Sequence, residues 1–129
     1  MIGVPVCTGE FVRPTNGDER IPHILRAIAA DPTQDIAALA RTVNLSSSRL
    51  SHLFKSETGH SLRAFLVNCR LERASLVLRQ TNTSVKAISY SVGYGHPPSF
   101  VRAFRKHFDC SPTEYRAQQQ ILRRYSRFG

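Results

Sequence analysis

With 129 residues, 41% of them hydrophobic, the chain has material for one compact domain or two very small ones sharing a core, which excludes a multi-domain enzyme. Eighteen Lys and Arg against nine Asp and Glu give a net charge of +9, a balance that favours a polyanionic partner such as nucleic acid or an anionic membrane. The longest apolar runs, such as Ala64-Phe65-Leu66-Val67, fall far short of the ~20 residues that span a bilayer, and Met1 to Cys7 lack the basic start and apolar stretch of a secretory signal, so the reading is a soluble, cytoplasmic protein.

Residues 1–17 contain Gly3, Pro5, Gly9, Pro14 and Gly17 without helical periodicity and read as a flexible leader or linker. Residues 1–35 hold three basic side chains (Arg13, Arg20, Arg26) and five acidic ones (Glu10, Asp18, Glu19, Asp31, Asp35), so residues 36–129 carry +11. From Asp18 as N-cap, Ile21, Ile24, Leu25 and Ile28 share one helix face, and Pro32 ends the run.

The next segment, 35–55, has the grammar of a helix-turn-helix. A short helix opens at Asp35, keeps the small Ala40 where a second helix must approach, and ends at Asn44, which tolerates left-handed dihedrals. Leu45 tucks under the turn; Ser46 is the candidate N-cap of a second helix that buries Leu50 and Leu53. Its opposite face is left for DNA.

Residues 61–80 predict a long helix with two apolar stripes, Leu62, Phe65, Leu66, Cys69 and then Val67, Leu71, Ala74, Leu78, buried between two hairpins. Its ~19 residues span about 28 Å, close to the ~34 Å between successive major-groove faces on one side of B-DNA.

The segment 84–107 repeats the first hairpin. Ile36, Leu39 and Val43 recur 49 residues later as Val85, Ile88 and Val92, and Leu50 and Phe54 recur 50 later as Phe100 and Phe104. One residue has been added in the second turn. Ser84 replaces Asp35 as cap, Ser89 replaces Ala40, Gly93 replaces Asn44, Tyr94 replaces Leu45, and His96 stands as the second N-cap. Apolar recurrence at three and four throughout, without strand-like alternation, predicts an all-α fold.

The C-terminal tail, 119–129, pairs a short stripe of Ile121, Tyr125 and Phe128 with Arg123, Arg124 and Arg127. It is open to packing on the domain, to contact with a partner or to fraying. Arg41, Lys86 and the tail arginines read equally well as solvated charge.

Catalytic and metal chemistry find no support. The three cysteines (Cys7, Cys69, Cys110) form no Cys-x-x-Cys pair, His107 and Cys110 would supply only half a metal site, and the five histidines are scattered singly. There is no His-Glu-x-x-His, Gly-rich phosphate loop or Gly-x-Ser-x-Gly. The chain reads as a non-enzyme with neither cofactor nor metal.

Leu45-Ser46-x-Ser48-x-Leu50-Ser51-x-Leu53-Phe54-Lys55, Gly59-x-Ser61-Leu62, Arg70-Leu71-Glu72-Arg73-Ala74, Val92-Gly93-Tyr94 and Phe104-Arg105-Lys106-x-Phe108-x-Cys110-Ser111-Pro112-x-Glu114-Tyr115-Arg116 together resemble the DNA-binding domain of the AraC/XylS family of bacterial transcription regulators, over residues 20–118. The resemblance implies a seven-helix, homeodomain-like domain over 18–118. Two helix-turn-helix units joined by a long central helix would bind asymmetric double-stranded DNA and activate transcription through RNA polymerase. The isolated domain is expected to be monomeric. Many family members carry a separate effector-binding, dimerising domain, for which this chain has no room, so it is either a short single-domain member or a fragment of a longer regulator.

The chain departs from the family at Gly95-His96-Pro97-Pro98-Ser99, where an acidic pair commonly precedes Pro-Ser-Tyr. Prolines are acceptable in a first helical turn, but His96 is a weaker cap than aspartate. Val101 replaces a usual small polar residue and offers a surface for a thymine methyl. The second unit should therefore read fewer base edges.

On the first recognition helix, Ser48, Arg49, Ser51 and His52 are base-reading candidates, Arg49 through a fork to guanine and His52 through a purine N7. Arg49 on a phosphate and His52 in solvent are the competing readings. On the second, Pro98, Ser99, Val101 and Arg102 face the groove, with Arg102 the strongest candidate. Lys55, Arg105 and Lys106 lie later on their helices and suit phosphates. The competing function is a basic helical nucleic-acid-binding module with little sequence preference.

Overall fold

The computed structural model describes residues 19–126; the leader, the Asp18 cap, Arg127 and Phe128 lie outside the described residues. Seven helices and no strand occur among them: α1 (Arg20–Ala30), α2 (Ile36–Thr42), α3 (Ser47–Thr58), α4 (Leu62–Gln80), α5 (Val85–Ser91), α6 (Pro97–Phe108) and α7 (Pro112–Ser126). The chain divides into two compact units, Met1–Arg70 and Leu71–Gly129, with the break inside α4.

The first unit is built on α1, α2, α3 and the first half of α4. Ile21, Ile24, Leu25 and Ile28 of α1 join Leu39, Ala40, Leu50, Phe54, Leu62, Phe65, Leu66 and Cys69 in one buried cluster. Burial of each large aliphatic or aromatic side chain contributes about 1.5–3 kcal/mol. The Phe54 and Phe65 rings lie 5.6 Å apart, tying α3 to α4. Leu53 is half-buried rather than buried, because it stands at the edge of this cluster.

The second unit follows the same plan with a more aromatic core. Phe100 and Phe104 of α6 are fully buried with Ile88, Ser89 and Val92 of the preceding hairpin arm and Leu71, Ala74 and Leu78 of α4. Tyr94 meets Phe100 edge-on at 5.5 Å, and Tyr115 of α7 meets Phe104 at 5.4 Å and Phe108 at 5.2 Å. Tyr115 stands 50 residues after Phe65, so the pairing of α3 with α4 recurs as that of α6 with α7. α7 runs unbroken through Ser126, leaving Ile121, Leu122 and Tyr125 exposed on its last turns.

Arg70 and Arg116 close each unit in the same way. Arg70 donates from Nε to the Pro32 carbonyl at 2.7 Å and from Nη2 to the Gln34 carbonyl at 3.0 Å. Arg116 donates to the Leu78 and Thr83 carbonyls at 3.1 and 2.7 Å. Arg70 thus satisfies two carbonyls of the segment leading into α2, and Arg116 one carbonyl in the last turn of α4, a group that a helix end leaves without a partner, and one just before α5.

Candidate nucleic-acid interface

The two turns are made by the same hydrogen bonds. In the first, the Leu45 N–H donates to the Ala40 carbonyl at 3.0 Å and Asn44 adopts φ 58°. In the second, the Tyr94 N–H donates to the Ser89 carbonyl at 2.9 Å and Gly93 adopts φ 97°. A side chain longer than Ala40 or Ser89 would obstruct the crossing helix; the buried Ser89 hydroxyl is satisfied by donating to the Lys86 carbonyl at 2.6 Å.

Caps set where each helix begins. Asp35 and Ser84 accept from the N–H groups of Ala38 and Ala87 at 2.8 and 3.1 Å. Ser46 accepts from the Arg49 N–H at 3.1 Å, so α3 starts with a complete cap. His96 makes no side-chain cap bond, and α6 starts on Pro97 and Pro98 instead, whose missing N–H groups need no partner there.

This geometry gives α3 a polar outer ridge. Ser48, Arg49, His52 and Lys55 are exposed and Ser51 is half-buried. Ser48 and His52 form the crest, with an open cavity on either side. One, of about 620 Å³, is lined by Arg20, Leu45, Arg49, Leu53 and Ser56 together with the crest. The other, of about 890 Å³, lies toward α2 and α4 and includes Asp35, Ser51, Lys55, Ser61, Arg63 and Arg70. Arg20 and Arg63 were not singled out by sequence, since neither sits on a hairpin helix; the position of Arg63 two residues after the Ser61 cap was the available signal.

On α6, Pro98 and Arg102 are exposed and Ser99 and Val101 half-buried, with Arg105 and Lys106 exposed toward the C-terminal end. The Arg105 guanidinium lies 3.9 Å from the Glu114 carboxylate. His107, mostly buried, shares a 3.2 Å contact with Glu72. The arrangement of α6 is therefore an apolar inner face, an outer face with one long cation at Arg102, and a basic end. No group of His, Cys, Asp and Glu among the described residues is arranged to hold a metal ion, and no described helix is long and apolar enough to cross a membrane.

Residues 39–118 match the family model described as "Helix-turn-helix domain". The chain is 39% identical to the Arabinose operon regulatory protein of Escherichia coli (strain K12) over 103 residues, covering 78% of this chain and 35% of that protein. It is 37% identical to the Lactose operon transcription activator of Staphylococcus xylosus over 101 residues, covering 77% and 36%. It thus spans about a third of the length of these relatives. The DNA-binding domain of AdpA, a global transcriptional factor solved in complex with a target DNA, superimposes with a TM-score of 0.72 at 25% identity over 83% of this chain and 97% of that one. A doubled helix-turn-helix with these turns, these relatives and this fold places the chain in the AraC/XylS family of DNA-binding domains.

Proposed function

We propose that the chain is a sequence-specific, double-stranded DNA-binding transcription regulator, an activator, that sets α3 and α6 into adjacent major grooves on one face of the duplex. The observation that carries this reading is the recurrence of one turn geometry, each time followed by a helix with a buried inner face and an exposed polar outer face. A helix of this kind fits the major groove, where donor and acceptor patterns distinguish all four base pairs. The 19 residues of α4 amount to about 28 Å of helix, comparable with the ~34 Å rise of one DNA turn.

In this reading Ser48, Arg49, Ser51 and His52 read one set of base edges, and Pro98, Ser99, Val101 and Arg102 read the other. Lys55, Arg105 and Lys106 meet phosphates, which fix register without reading sequence. The domain acts as a monomer in the cytoplasm, on the nucleoid, and stimulates transcription through contact with RNA polymerase; the naming of one relative as a transcription activator supports that last step. Domain limits of 18–118 follow from the same reading.

Hydroxyl-radical footprinting on a selected duplex tests it. Two protected segments about one helical turn apart on one face are expected. A single protected segment would remove α6 from the groove, and uniform weak protection would favour a basic module without sequence preference.

A further inference from the structure

We propose that the open groove between α3 and the start of α4 seats one backbone phosphate of bound DNA, anchored by Arg63 together with Lys55. This rests on the DNA-binding reading above and adds an anchor that belongs to neither helix of the hairpin.

Three observations converge on that groove. Lys55 and Arg63 both line it, both are exposed, and neither side chain takes part in a hydrogen bond or ion pair among the described residues. Ser61 already accepts the Ala64 N–H through its Oγ at 3.3 Å, so its O–H proton is left to donate into the groove it lines. Asp35 lines the groove too, its carboxylate held by the Ala38 N–H at 2.8 Å, and its negative charge biases an anion toward Lys55 and Arg63. Arg70, also in the wall, spends its fork on the Pro32 and Gln34 carbonyls.

The occupant is DNA backbone because the groove is continuous with the reading ridge. Ser48 and His52 line it as well as the cavity on the far side of α3. A helix seated in a major groove has a phosphate strand along each flank, so this flank meets one.

The repeat supplies an internal comparison. Fifty residues after Lys55 and Arg63 stand Arg105 and Thr113, and fifty after Ala64 stands Glu114, 3.9 Å from Arg105. Where the first unit offers two unpaired cations, the second offers one, shared with a carboxylate. The second unit thus has no counterpart of Arg63 at the repeated position.

The test is a salt titration of the full chain on its selected duplex and on a scrambled one. Each phosphate neutralised contributes about 0.9 to the slope of log affinity against log salt. Arg63→Ala should flatten that slope by about 0.9 and weaken both duplexes alike, about five-fold at ~0.15 M salt. Arg63→Lys should retain the wild-type slope, and the thermal melt of both variants should match wild type. An unchanged slope in Arg63→Ala overturns the seat, as does a loss confined to the selected duplex, which would make Arg63 a base reader. Failure of the wild-type chain to bind any duplex would instead remove the DNA reading, and the seat with it.

Discussion

Ser111 and Glu114 hold each other's backbone: the Ser111 N–H donates to Glu114 Oε1 at 2.8 Å, and the Glu114 N–H donates to Ser111 Oγ at 3.1 Å. This reciprocal pair opens α7, satisfying two N–H groups at its N-terminus. The Ser111 backbone N–H, and after it the Ser111 hydroxyl, hold the Glu114 carboxyl below its ordinary value of 4.5, with Arg105 adding a smaller charge effect. A depressed native pKa means that the stabilisation is fully present above 4.5 and is lost as pH falls through the lowered native value. Glu114→Gln keeps an acceptor for Ser111 but does not titrate. The melting temperature of wild type should therefore fall more steeply than that of Glu114→Gln below pH 4.5, and parallel curves would show that the carboxylate is unimportant there.

Arg116 and Arg70 supply hydrogen bonds from a charged group, worth about 1.5–3 kcal/mol each where solvent is excluded and less where it is not. Arg116→Ala should destabilise the chain by about 2 kcal/mol in a urea titration. Arg116→Lys should recover little of it, because a single ammonium does not reproduce a fork that spans the Leu78 and Thr83 carbonyls. Full recovery by lysine would reduce the contact to simple charge.

The repeat was legible because its marks are local. Ala40 and Ser89, Asn44 and Gly93, and the caps Asp35, Ser46 and Ser84 each solve a problem of one turn with residues a few positions apart. The all-helical plan followed from periodicity, and the outward placement of Arg49 and Arg102 from the intervals between buried positions. The clamps were not legible, because Arg116 reaches a carbonyl 38 residues away and such a bond leaves no periodic trace. Asp109 at φ 62° was equally hidden: Gly59 announces the same C-cap in the first unit at φ 80°, whereas aspartate does not. Glu57, a carboxylate with only 4% of its surface exposed, lies outside the apolar pattern, so periodicity does not mark it as buried.

His96 makes no side-chain cap bond at the start of α6, and that gap has a measurable effect. His96→Asp should raise stability by about 0.5–1 kcal/mol by accepting an N–H of the first turn of α6. The added negative charge beside the DNA-facing turn should weaken binding at the same time. Chemical denaturation and a binding titration on one variant check both, and loss of stability would mean that the α6 start cannot accept a side-chain cap.

Arg49 and Arg102 separate base reading from phosphate contact. If each grips base edges, Arg49→Ala and Arg102→Ala should cost about 1–3 kcal/mol on the selected duplex and much less on a scrambled one. Equal losses on both duplexes would reassign them to phosphates.

Selection of bound duplexes from a random DNA pool at physiological salt, followed by titration of the recovered site against scrambled DNA, tests sequence-specific reading by two helices most directly. A site with two boxes about one helical turn apart, preferred by about 10³-fold or more, is expected. A pool without enrichment, bound with an affinity that follows salt alone, would contradict it.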